Sequence, residues 1–73
     1  MPRYFFHVFD DREYLQDHNG VEMIDTSEAK RELLRLVQLL PERLMRPGAR
    51  IALHDEAGNM LDEQWVIKPS NGY

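Results

Sequence analysis

Hydrophobic periodicity along the chain switches between that of strands and that of a helix. Arg3 to Phe9, RYFFHVF, is aromatic and β-branched, and alternation sets Tyr4, Phe6 and Val8 on one face. Phe5 and Phe9 fall on the other face, beside His7. A strand apolar on both sides needs cover on both, from a second layer or from a partner. The polar stretch DDRE predicts a turn. Tyr14-Leu15 then predicts a short second strand running into Asp17-His18-Asn19-Gly20. Asn-Gly is a strong hairpin signal because both residues tolerate positive φ, so Val21 to Ile24 is expected as the returning strand.

From Asp25 the period lengthens. Asp25 is placed to cap a helix, with Glu28 completing a capping-box pattern. Ala29, Leu33, Leu36, Val37 and Leu40 form the core stripe, while Arg31, Arg35 and Gln38 point away. Leu34 and Leu39 sit outside the stripe on opposite flanks, either as exposed leucines or as a second contact surface. Pro41 is expected to stop or kink the helix or to begin a fresh turn, PERLM, and Pro47-Gly48 closes the segment. Arg50 to His54 predicts a strand with Ile51 and Leu53 inward, DEAGN a hairpin loop with Gly58 left-handed, and Met60 to Ile67 the final strand. The expected domain covers residues 1–68, with a loose tail at 69–73.

A chain of 73 residues fits one domain and buries a small core, which disulfides, a metal or oligomerisation usually supplement. The absence of cysteine removes disulfides and thiolate zinc sites and fits a reducing compartment. Oligomerisation is then the expected supplement. The opening residues do not read as a secretory signal and no apolar run is long enough to span a membrane, so the expected location is cytoplasmic.

Charge refines this picture. The net charge of −4 disfavours nucleic acid as a partner. Within it, residues 30–50 hold Lys30, Arg31, Arg35, Arg43, Arg46 and Arg50 against Glu32 and Glu42 only. A solvated helix face explains most of that run. Arg31, Arg35, Arg43 and Arg46 are the candidate surface for an anionic partner.

No pattern indicates a catalytic, cofactor-binding or metal-binding set. Asp10, Asp11, Glu13, Asp17, His18 and Asn19 cluster, but they miss the register of a calcium loop and read as turn residues. His7 and His54 stand near the ends of two predicted strands, and their imidazoles approach one another if those strands are neighbours. Pro2 offers a further possibility: once Met1 is removed, a secondary amine at a strand start is a candidate general base, as in tautomerases. The hairpin between first strand and helix departs from that pattern.

Several segments together resemble a family of short bacterial proteins, abundant in rhizobia and their relatives, whose domain has no assigned function. They are MPRYFFHV, Asp17-x-x-Gly20, Asp25 before Glu28-Ala29, and the late HDEAGN. The resemblance spans nearly the whole chain and implies no activity, cofactor or partner. DDREYLQDH is more charged than the family pattern, and Pro41 interrupts a helix that runs on in relatives. A second, partial resemblance, through Thr26-Ser27-Glu28-Ala29 after a hairpin, is to HicB-like antitoxin domains.

The expected fold is α+β, an antiparallel sheet of four or five strands with one main helix on one face, in the order ββ(β)αββ. The expected function is that of a non-catalytic interaction or regulatory domain without cofactors that pairs with itself as a homodimer. Phe5, Phe9, Leu34 and Leu39 are the candidate self-association surface. The alternatives are an antitoxin-type binding module and a small enzyme using the N-terminal proline as base.

Overall fold

A computed structural model describes residues 1–40, 42, 46 and 48–66. In it β1 (Arg3–Phe9) forms the spine of an antiparallel five-stranded sheet. One edge of β1 pairs with β4 (Arg50–His54), which pairs in turn with β5 (Met60–Trp65). The other edge is shared: β2 (Tyr14–Leu15) pairs with the end of β1 and β3 (Val21–Glu22) with its start. The helix α1 (Thr26–Leu39) crosses one face, giving the α+β arrangement that the hydrophobic pattern predicts.

The core follows from alternation. Tyr4 and Phe6 of β1 and Ile51 and Leu53 of β4 point toward α1, where they meet the fully buried Ala29 and Leu33. Val8, Leu36, Val37, Leu40, Leu61 and Val66 pack around them. Tyr4 is satisfied at its polar end by a 3.1 Å hydrogen bond between its hydroxyl and Oγ1 of Thr26.

The helix starts and stops where its sequence directs. Asp25 Oδ1 accepts the Glu28 N–H at 2.9 Å. The Glu28 carboxylate accepts the Ile24 N–H at 3.4 Å, one residue before the usual reciprocal partner, the N-cap N–H of Asp25. At the other end Leu40 turns extended, with ψ of 140°, as a residue before proline must. Pro41, Arg43 to Met45 and Pro47 lie outside the described residues, so the expected turn PERLM does too.

Two strand expectations change. Asn19-Gly20 does not join a hairpin of β2 with β3, because both strands pair with β1 and not with each other. Only Gly20 takes positive φ there, 69°, whereas the two-residue turn would need it at Asn19 as well. The final strand ends at Trp65, and residues 67–73, including the expected tail, lie outside the described residues. The β4–β5 hairpin is as expected: Gly58 has φ of 87°, and Asp55 Oδ1 accepts the N–H groups of Ala57 at 3.0 Å and Asn59 at 2.9 Å. Among the described residues, no helix is long and apolar enough to cross a membrane.

Candidate functional site

With α1 covering one face, the other face of the sheet carries Phe5, His7 and Phe9 from β1 and Arg50 and His54 from β4. The register places Tyr14 of β2 across from Phe9, and Trp65 of β5 across from Arg50. These side chains pack sideways upon one another. The Arg50 guanidinium lies 4.2 Å from the Phe9 ring centroid and 4.9 Å from that of Trp65. Tyr14 meets Phe9 edge-on at 5.7 Å, and Phe5 lies nearly parallel to His7 at 6.4 Å. Phe5 and Phe9 are thereby half-buried, while Tyr14 stays 57 % exposed and Trp65 38 %.

Beside this platform lies an open cleft of about 380 Å³, lined by Phe5, His7, Tyr14, Asp17, His54 and Glu56 among others. His7 is buried, and its ring centroid is 4.8 Å from that of His54. Its Nδ1 accepts the backbone N–H of Asp17 at 3.0 Å. In return Asp17 Oδ2 accepts the Phe6 N–H at 3.2 Å, filling the gap on the β1 edge between β2 and β3. Asp17 Oδ1 also accepts the N–H groups of Gly20 at 2.9 Å and Asn19 at 3.2 Å. Burial alone raises the Asp17 carboxyl, but those donors outweigh it and hold it below the usual carboxylate value. Burial, then the facing His54, hold His7 below the ordinary histidine value, with His18 adding to them and Asp17 pulling the other way. Nδ1 of His54 is buried without a hydrogen-bond partner among the described residues.

A family model for a domain of unknown function, DUF6894, matches residues 3–64. The chain belongs to this family. No curated protein and no solved structure matches it. The DUF6894 match runs from the first residue of β1 to the last but one of β5, so it takes in the core, the cleft and all of the platform except Trp65.

Within the DUF6894 fold, the residues singled out by sequence separate into different places. Phe5 and Phe9 lie on the helix-free face. Leu34 and Leu39 are exposed on α1, beyond the opposite face, so the four do not make one surface. Tyr14, Arg50 and Trp65 complete the Phe5–Phe9 platform and were not singled out. The alternation of Arg50 against Ile51 carries a signal for the face of Arg50, but no local pattern specifies which strand lies opposite.

The arginines also separate. Arg35 donates through Nε to Glu32 at 2.8 Å. Arg46 pairs with Asp10 at 3.2 Å and Glu13 at 3.0 Å, so the basic segment folds back onto the acidic turn after β1. Arg31 is exposed on α1, and Arg43 lies outside the described residues. Among the described residues no group of histidine and acidic side chains is arranged to hold a metal ion.

Proposed function

We propose that this DUF6894 domain is a small interaction module that self-associates, two copies meeting through their helix-free sheet faces. The observation that carries this reading is the unlayered platform of Phe5, Phe9, Tyr14 and Trp65 around Arg50, which has no second layer among the described residues. A twofold-symmetric pairing suits a single patch that must serve both partners. Four strands at ~4.8 Å spacing offer about 400 Å² per copy, or about 800 Å² in total, below the range of permanent interfaces. The dimer is accordingly weak and reversible, and lateral stacking within each face lowers the gain further by half-burying Phe5 and Phe9 beforehand. The cytoplasm is the compartment that suits a chain without cysteine.

A proline-base enzyme gains less support. Arg3, the cation beside Pro2, already donates to the Asn19 carbonyl at 2.8 Å and to Glu22 at 2.9 Å, leaving it poorly placed for an anionic substrate. The self-association reading is tested by recording amide spectra on dilution. Shifts confined to Phe5, Phe9, Tyr14, Arg50 and Trp65 support it. Shifts confined to Leu34 and Leu39 place the contact on α1 and contradict it.

A further inference from the structure

We propose that the His7–His54 pair is a proton-operated latch that holds the loop 16–20 against β1 when neutral and releases it when His7 is protonated. The hydrogen bond from the Asp17 N–H to Nδ1 of His7 requires an unprotonated Nδ1, which fixes the proton of the neutral ring on Nε2. An imidazolium has donors at both nitrogens and no acceptor, so a proton on Nδ1 sets one N–H against another and the bond cannot survive. His7 is buried, and no rotation of its ring restores an acceptor.

The surroundings of His7 are mixed in sign. From β4 comes His54, from β2 Tyr14, from the loop Asp17 and His18, and from the β4–β5 hairpin Asp55 and Glu56, which line the same cleft. Burial and then charge on His54 oppose charge on His7, His18 adds to them and the Asp17 carboxylate favours it, so His7 takes up its proton below the ordinary histidine value.

Release has a defined structural consequence. The loop is pressed onto β1 so closely that a Cβ at Gly20 would stand 2.8 Å from the Phe5 ring and 2.9 Å from the Tyr4 carbonyl oxygen. Letting go of Asp17 uncovers one side of Phe5 and frees the Phe6 N–H on the β1 edge. The latch is independent of self-association, and acts equally in a monomer.

The test is a proton titration of the full chain followed by nuclear magnetic resonance, reading the His7 ring together with the Asp17 and Phe6 amides. We expect His7 to titrate below the ordinary histidine value, the Asp17 amide to shift with the same midpoint, and its hydrogen exchange to speed by about tenfold, the scale of one lost hydrogen bond. His7→Asn supplies a side-chain oxygen that accepts at every pH, so the Asp17 amide transition vanishes. His54→Asn removes the opposing charge, so the His7 midpoint rises. A His7 transition that leaves the Asp17 amide unmoved overturns the latch, and so does an Asp17 transition that persists in His7→Asn. Should His7→Asn fail to fold, His54→Asn still decides: a His7 midpoint that moves without the Asp17 amide midpoint moving with it overturns the latch.

Discussion

The carboxylate of Asp17 takes the place of a strand, accepting the Phe6 N–H at 3.2 Å where neither β2 nor β3 reaches the β1 edge. The same side chain closes its own turn onto Asn19 and Gly20. Asp17→Ala leaves three backbone donors without their acceptor and is expected to cost about 2–4 kcal/mol in denaturant unfolding. Asp17→Asn keeps one acceptor oxygen and is expected to cost less. Equal losses for the two variants would show that packing, not acceptance, is what Asp17 contributes.

Glycines at two turns differ in what they must satisfy. Gly58 has φ of 87° in open space, whereas Gly20 combines φ of 69° with a site where an added Cβ would stand under 3 Å from Arg3, Tyr4 and Phe5. Gly58→Ala is expected to cost about 1 kcal/mol of backbone strain, and Gly20→Ala about 2–4 kcal/mol because β1 must also shift. Thermal melts of the two variants compare them directly, and the reverse order contradicts the placement of the Asp17–Gly20 loop.

Acid should weaken the fold in two stages. His7 is held below the ordinary histidine value, so the unfolded chain takes up its proton first as pH falls. The stability contributed by neutral His7 is complete above that ordinary value, and declines as pH drops toward the folded value. Asp10, Asp17 and Asp55 are also held low. Asp10 is lowered by the Arg12 and Glu13 amides and Asp55 chiefly by Asn59, while in Asp17 the Gly20, Phe6 and Asn19 amides outweigh burial. Their contribution is present above the usual carboxylate range and lost below it. Melting temperature against pH should therefore show an upper step that disappears in His7→Asn, and a lower step that remains.

Arg50 holds the platform together laterally. Replacing it by leucine keeps the apolar stem but removes the cation between Phe9 and Trp65 and the hydrogen bond to the Gly48 carbonyl at 2.7 Å. A loss of about 1–2 kcal/mol is expected, with a change in Trp65 fluorescence as its ring loses the guanidinium. Unchanged fluorescence would place Trp65 away from Arg50.

Much of the fold was legible because local chemistry set it. Tyr4, Phe6 and Val8 alternate against Phe5 and Phe9, Asp25 caps, Leu40 yields before Pro41, and Gly58 turns. The path of β3 was not legible, since Asn19-Gly20 carries the hairpin signal while Asp17, tied to His7 and Phe6, redirects the chain onto β1. The approach of His7 to His54 followed from their strand positions once β1 and β4 were neighbours, a pairing between distant segments. The platform needed the same long-range register. Tyr14 and Trp65 join it only because β2 and β5 flank β1 and β4 in this order.

Sedimentation equilibrium across a concentration series shows whether the domain pairs and through which face, with the parent chain measured beside two paired variants. Tyr14 and Trp65 are the most exposed aromatics of the helix-free face, and Leu34 and Leu39 the exposed leucines of α1. The parent is expected to pass from monomer to dimer at micromolar or higher concentration, as suits a small interface. Tyr14→Ser with Trp65→Ser should shift that transition upward by tenfold or more, on the order of 1.4 kcal/mol, while Leu34→Ser with Leu39→Ser leaves it in place. A parent that stays monomeric throughout, or a dimer lost only in the leucine variant, contradicts the account.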